Sequence, residues 1–170
     1  SSGDGLITRD TATGKEWLDL TATQGHSYKD VAEGFGGYTT TRGFSFANTD
    51  QVATLYIDAG ITSFGSFSLG NVTGVKLLLS LMGCTEHCGL GPDTANGLVD
   101  FPVVILTQSE FAFIQLDIFQ GARAFPSTSS HVDKTSVFSN TGSYLMRDAA
   151  KVMEPTTTAL LALGLAGLGY

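Results

Sequence analysis

The sequence predicts an α+β domain, and three features lead to that prediction. The chain opens with a β-hairpin pattern, continues with two segments of helical spacing, and then turns to stretches rich in β-branched and aromatic residues. We therefore expect two short helices, antiparallel strands and long loops in a globular domain over residues 1–150. Residues 151–158 are predicted to be a linker, and residues 159–170 an apolar C-terminal tail.

The opening hairpin is predicted from two short apolar stretches around a glycine turn. Leu6–Thr8 is typical of one strand, the segment EWLDL at 16–20 of the second, and Gly14 lies in the turn between them. Trp17, the single tryptophan, is expected in the core beside its leucine neighbours.

A first short helix is predicted from its capping residues. Ser27, with Asp30 three residues later, forms a capping-box pattern. The buried stripe of this helix would be Val31, Ala32 and Phe35.

The second helix has a predicted cap at Asn48 or Thr49 and ends at Gly60. Its apolar positions at i, i+3 and i+4 are Val52, Leu55 and Tyr56. After a glycine- and serine-rich loop at 62–74, the run VKLLLSLMG at 75–83 fits either a buried helix or a buried strand. Gly83 stands where a helix C-cap belongs and favours the helix.

The second half of the sequence favours β structure. The segments LVDFPVVIL at 98–106 and EFAFIQLDIF at 110–119 are predicted strands, since β-branched and aromatic residues are enriched there. Residues 120–141 are predicted to be a long polar loop, and GSYLMRD at 142–148 a last strand.

Composition restricts the partners and the location of the protein. The net charge is -7 and no basic cluster offsets it, so we expect no nucleic-acid partner. Only 15% of the residues are charged, while glycine, serine and threonine are abundant. A start at Ser1-Ser2-Gly3 is what signal-peptide removal leaves, so we expect an exported protein at the cell surface or outside the cell.

The cysteines Cys84 and Cys88 lie four residues apart and are predicted to form a disulfide in an exported chain. The alternatives are a metal site that adds His87 and Glu86, and a free reactive thiol. Nearby, a segment containing Asp93, Asn96 and Asp100 resembles a loose oxygen-ligand loop. It lacks the spacing and closing glutamate of a calcium loop, so we interpret it as a solvated acidic turn.

The sequence offers no pattern typical of catalysis. No serine lies in a Gly-x-Ser-x-Gly motif, and neither a phosphate loop nor a dinucleotide fingerprint is present. His26 lies beside the capping Ser27, and His131 is expected to be exposed in a polar loop. We predict a non-enzymatic protein with no cofactor and no metal. Asn71, in the sequon Asn71-Val72-Thr73, is a candidate glycosylation site.

The C-terminal sequence VMEPTTTALLALGLAGLGY resembles the PEP-CTERM sorting signal of exported bacterial proteins. Glu154 and Pro155 match its Pro-Glu-Pro motif, Met153 replaces the first proline, and the basic cluster that closes the signal is absent. DGLITRDTATGKEWLDLT, NTDQVATLYIDAGI and GSYLMRDA are similar, in their order, to the body of a recurrent class of such proteins.

The same layout is similar to the C-terminal domain of bacterial collagen-like adhesins, which has a C-type-lectin-like fold. The resemblance implies a C-type-lectin-like mixed domain in which Leu6–Thr8 and Tyr144–Met146 are neighbours. The Glu-Pro-Asn and Trp-Asn-Asp sugar motifs of calcium-dependent lectins are absent.

The tail Ala159–Tyr170 carries no charge, and exposing it to water would be costly. It could pack on its own domain, enter lipid, or insert into a neighbouring copy. We expect the last of these, with a self-assembling structural protein forming a filament or layer, such as a biofilm matrix. The residues of this assembly or anchoring tail are Leu160, Leu161, Leu163, Leu165, Leu168 and Tyr170.

The alternative function is a surface-anchored module that binds carbohydrate or another matrix component. Its binding surface would be formed by the loops at 62–74, 89–100 and 120–142, which offer aromatic side chains and Arg123.

Overall fold

The computed structural model describes residues 5–89, 91–101 and 107–150, which fold into an α+β architecture. Its α-helices are α1 (Tyr28–Ala32), α2 (Thr49–Asp58) and α3 (Val72–Met82). Its strands are β1 (Ile7–Asp10), β2 (Lys15–Leu18), β3 (Ser45–Phe46), β4 (Asp93–Val99), β5 (Gln108–Asp117), β6 (Gly121–Phe125), β7 (His131–Asp133), β8 (Gly142–Ser143) and β9 (Leu145–Asp148).

The strands form two sheets. A four-stranded antiparallel sheet has the order β1-β2-β9-β3, and a five-stranded sheet has the order β6-β5-β4-β8, with β7 pairing the start of β5. Neighbouring strands in the second sheet are antiparallel except for β4 and β8. The opening hairpin is confirmed. The resemblance implies that the first and last strands are neighbours. In the structure β2 lies between β1 and β9, so the two strands are in the same sheet but are not adjacent.

The segment from Gly142 to Asp148 belongs to both sheets, because β8 pairs with β4 while β9 pairs with β2 and β3. Tyr144 lies between the two short strands, and its hydroxyl is 2.7 Å from that of Tyr56 on α2. The approach is close: a Cβ at Gly97 would lie 2.5 Å from the Tyr144 ring. A Cβ at Gly142 would lie 2.0 Å from the Leu20 carbonyl oxygen.

The core consists of two clusters of buried side chains. The larger contains Trp17, Tyr56 and Tyr144 and joins α2 and α3 to the inner faces of β4, β5 and β6. The smaller is built around Leu18, Val31 and Leu145. The core position predicted for Trp17 is confirmed, since this side chain is almost completely buried.

The predicted helix caps are confirmed. Ser27 accepts from the Asp30 amide at 3.0 Å, and Asn48 accepts from the Gln51 amide at 2.9 Å; both complete capping boxes. The buried positions of α2 are Val52, Leu55 and Tyr56, as predicted. In α1 only Val31 is buried, because the helix ends after five residues and leaves Ala32 and Phe35 exposed.

The apolar run at 75–83 is confirmed as a helix, α3, which joins the two short helices α1 and α2 among the described residues. Gly83 is its C-cap, with φ at 84°. None of the helices in the described ranges combines the length and apolar character that crossing a bilayer requires.

The second half contains more strands than the sequence indicated. The acidic turn expected around Asn96 is instead β4, whose residues pair with β5 from Asp93↔Leu116 to Val99↔Glu110. The polar loop expected at 120–141 contains two strands, β6 and β7. β6 pairs with the second half of β5, and β7 pairs with its first three residues. The expected strand at 110–119 is confirmed within β5, and that at 142–148 is divided into β8 and β9.

Two carboxyl groups meet where α2 ends beside the opening hairpin. The Asp10 carboxylate accepts from the amide of Ala12 at 2.9 Å and from the Thr13 hydroxyl, which stabilises the turn. Partial desolvation and the neighbouring Asp10 carboxylate raise the pKa of Asp58. Folding therefore favours protonated Asp58, and this contribution is lost as the pH rises through the raised pKa.

We expect Asp58→Asn to raise the melting temperature at pH 7, because it removes the repulsion with Asp10. The gain should disappear as the pH falls below the ordinary aspartate value of 3.8, where Asp58 is protonated in both the folded and the unfolded chain. The measurement is thermal unfolding of both proteins from pH 3 to pH 8, with Asp50→Asn at the start of α2 as the control. A gain independent of pH would contradict the carboxyl pairing.

Candidate functional site

The outer face of the five-stranded sheet presents aromatic and planar polar side chains side by side. Alternation along β5 sends Ala112 and Ile114 into the core and Phe113 and Gln115 to the other face. On β6, Phe125 lies opposite Phe113, and Arg123 lies opposite Gln115. On β4, Asn96 and Thr94 continue the two rows. We call this surface the outer face: Thr94, Asn96, Phe113, Gln115, Arg123 and Phe125, with Phe67 beside them.

Arg123 is at the centre of the outer face. Its guanidinium carbon lies 4.6 Å from the ring centre of Phe67, 5.5 Å from that of Phe113 and 5.7 Å from that of Phe125. A guanidinium at these distances is attracted by the negative ring faces. Its Nε donates to Gln115 Oε1 at 2.7 Å, which fixes the plane of the group. Gln115 Nε2 in turn donates to Thr94 Oγ1 at 3.4 Å, so a polar row crosses three strands.

The disulfide loop borders the outer face at its β4 side. Cys84 and Cys88 are at disulfide distance, Sγ to Sγ 2.18 Å, which supports the predicted disulfide. Within the loop, Glu86 Oε2 accepts from Asn96 Nδ2 at 3.1 Å, and the Glu86 backbone amide donates to the Thr94 carbonyl oxygen at 3.1 Å. The half-buried Glu86 is thus held by β4. The alternative was a metal site formed by Cys84, Cys88, His87 and Glu86. A disulfide disfavours this site, because the two sulfur atoms are bonded to each other and are no longer thiolates that could bind a metal.

Chemically, the outer face carries groups that are suited to binding a ligand. Phenyl rings pack against apolar C–H surfaces, while amide, guanidinium and carboxylate groups beside them exchange hydrogen bonds with hydroxyls. Arg123 uses its Nε within the surface, and a guanidinium has two further nitrogens that can donate to a ligand. This combination fits a polyhydroxylated chain such as a polysaccharide.

The predicted oxygen-ligand residues are used within the protein. Asp93 Oδ1 accepts from the Gly89 amide at 2.6 Å, and Asn96 bonds Glu86. Asp100 Oδ1 accepts from the Tyr28 hydroxyl at 3.0 Å and lies 3.6 Å from Lys134 Nζ. Burial and this carboxylate raise the pKa of Tyr28 far above its usual value. Within 5–89, 91–101 and 107–150, no three histidine, cysteine or acidic side chains gather as metal ligands would.

The histidines have partners that the sequence did not indicate. His131 Nε2 lies 3.0 Å from Glu110 Oε1, and Ser127 Oγ donates to Glu110 Oε2 at 2.5 Å. Glu110 is only 4% exposed, so its buried carboxylate accepts from the Ser127 hydroxyl and lies beside the His131 ring. Ser127 and His131 thus both contact the Glu110 carboxylate. In a serine–histidine pair that activates a nucleophile, the serine hydroxyl is instead hydrogen-bonded to the histidine. His26 stacks on Phe35, with ring centres 3.4 Å apart.

Asn71 has a structural position that sequence reasoning missed. It is 0% exposed, its Oδ1 accepts from the Thr62 amide at 3.1 Å, and its Nδ2 donates to the Ser63 carbonyl at 2.8 Å. Both ends of the amide are engaged, so the folded domain does not present Asn71 for glycosylation. The sorting motif Glu154 and Pro155 and the tail residues Leu160 to Tyr170 lie outside the described residues.

Comparisons with known proteins give no relative. No family model, no curated protein and no solved structure matches this chain.

We expect Asn71→Ala to lower the free energy of unfolding by about 1–3 kcal/mol, because it removes both hydrogen bonds of a buried amide and leaves the Thr62 amide and the Ser63 carbonyl without them. The control is Thr73→Ala, which also destroys the sequon but keeps both amide bonds of Asn71. Chemical denaturation measures both variants. Equal losses would point to an attached glycan as the source of the effect.

Proposed function

We propose that this chain is a non-enzymatic, exported structural protein of the cell surface or extracellular matrix. Copies assemble into a filament or layer through the apolar C-terminal tail. The observation that carries the proposal is the contrast between tail and domain. Residues 159–170 include five leucines and no charge, whereas the described residues between Ile7 and Met146 form two buried clusters among themselves.

Sequestering the tail supplies the driving force for assembly. Each buried methylene group contributes about 0.8 kcal/mol, so five leucines provide several kcal/mol per subunit. A tail that enters the next subunit makes a heterologous contact, and such contacts propagate into filaments when they do not close. The acidic surface, with net charge -7, opposes non-specific aggregation of the domains and leaves the tail as the selective contact.

We expect deletion of residues 156–170 to convert large particles into monomers or small oligomers, because the apolar contact is removed. Sedimentation velocity and negative-stain microscopy measure the change. The matched control replaces Thr156, Thr157 and Thr158 by serine and keeps every leucine. Multimers of unchanged size after the deletion would refute tail-driven assembly.

A second candidate function is favoured by the outer face. We propose a surface-anchored carbohydrate- or matrix-binding module in which Arg123, Gln115 and the phenyl rings bind a polysaccharide. The C-type-lectin-like assignment belongs to the same proposal. It is supported by the pairing of β2 with β9, which joins the first hairpin to the end of the domain.

We expect Arg123→Ala to weaken polysaccharide binding about tenfold or more, since a charge-assisted hydrogen bond and a stacked group are lost. Pull-down on insoluble cellulose and chitin, and a glycan array, measure it. Arg42→Ala is the control, because Arg42 also stacks on an aromatic ring, that of Tyr38, but outside the outer face. Equal binding by both variants would exclude the outer face as the site.

A further inference from the structure

The turn between β5 and β6 holds two large apolar side chains in water. Ile118 is 80% exposed and Phe119 is 89% exposed. The adjoining turn adds Leu69, which is also 80% exposed. We call Ile118 and Phe119 the β5–β6 tip. Exposed apolar groups gathered in one place mark contact surfaces more often than single ones do.

The tip has a fixed shape. Asp117 Oδ1 accepts from the Phe119 amide at 2.8 Å and from the Gln120 amide at 2.9 Å. Gly121 then turns the chain with φ at 97°, where a Cβ would lie 3.0 Å from the Ser68 carbonyl oxygen. An aspartate that caps its own turn and a glycine with left-handed φ are local devices that hold a turn in one conformation. The apolar pair is therefore presented on a rigid support.

A cleft lies on each side of the tip. The first, of about 300 Å³, runs between the tip and the start of α3, where Leu69, Val72 and Lys76 line it. The second, of about 490 Å³, lies between the tip and a wall formed by Gly89, Gly91, Pro92 and Asp93. A projecting apolar pair beside a cleft is self-complementary: under a two-fold axis each copy can place its tip in the cleft of the other.

We propose that the β5–β6 tip is a contact between two copies of this chain, with Phe119 of each copy seated in the cleft beside Leu69 and Val72 of the other. The inference rests on the proposed self-assembly and names a second contact, independent of the tail. Charge favours a second copy as the occupant. Lys76 is exposed at the wall of the first cleft and forms no ion pair among the described residues, while Asp117 lines the same cleft and Asp93 lines the second one. An anionic membrane would be repelled by these carboxylates.

The contact is small. An aromatic side chain buries about 150–250 Å², so a few such side chains per copy fall below the roughly 800 Å² per partner of a stable complex. A weak, concentration-dependent dimer is therefore expected. Its affinity would rise when the tail forms a second contact between the same two copies.

The test compares four proteins by sedimentation equilibrium: the full chain and the chain lacking 156–170, each with and without Phe119→Ser. The deletion removes none of the described members of the core clusters, which lie between Ile7 and Met146. We expect the truncated protein to dimerise with rising concentration and Phe119→Ser to weaken this dimer at least tenfold. Val137→Ser, at an exposed apolar position elsewhere, is the matched control and should leave the dimer unchanged.

Each other outcome overturns the proposal in a recognisable way. A truncated protein that stays monomeric, while the full chain still forms large particles, excludes the tip contact and leaves tail-driven assembly standing. An effect of Phe119→Ser confined to the full chain assigns the tip to the tail of another copy. Binding of the truncated protein to phosphatidylglycerol vesicles, lost in Phe119→Ser, assigns it to a lipid surface.

Discussion

The fold depends on one constraint: the segment Gly142–Asp148 has to pass between the two sheets and pair with both. Its first strand extends the five-stranded sheet beside β4, and its second is central in the other sheet, between β2 and β3. The passage is possible because Gly97 and Gly142 have no side chains where Tyr144 and Leu20 approach. The buried pair of hydroxyls on Tyr56 and Tyr144 then ties α2 to this segment, where an unpaired hydroxyl would be costly.

The parts of the fold that sequence reasoning found are those specified locally. The capping boxes at Ser27 and Asn48, the apolar spacing of α2 and the glycine at the end of α3 each involve residues within one or two turns. The first five residues of β4 and all of β6 were missed because their own residues, such as Asn96, Gly97 and Ala122, have low strand propensity, whereas Leu98 and Val99 at the end of β4 belong to a predicted strand. Their conformation comes from β5, which pairs with both and supplies the apolar partners.

In the candidate site, too, the residue types could be found from the sequence, whereas contacts between distant segments could not. Arg123 and the aromatic residues of the loops were singled out from the sequence, but their assembly into one surface needs the register between β5 and β6. The partners of Glu110 could not be assigned from the sequence, because Ser127 and His131 both lie within the segment that was expected to be a polar loop. Asn71 shows the opposite error. A short motif suggested modification, whereas burial gives the amide a structural role.

One hairpin connects the outer face with the β5–β6 tip. The outer face lies on the flanks of β5 and β6, and the tip lies at their turn, so both take their position from the same register. Rigid presentation lowers the conformational entropy lost on binding, which suits weak contacts that act many times in an assembly. A matrix subunit joined at its tip and tail would leave the outer face of each copy free, and an array of such faces could bind a long polysaccharide with far higher avidity than one domain. Self-assembly and glycan binding would in that case reinforce each other.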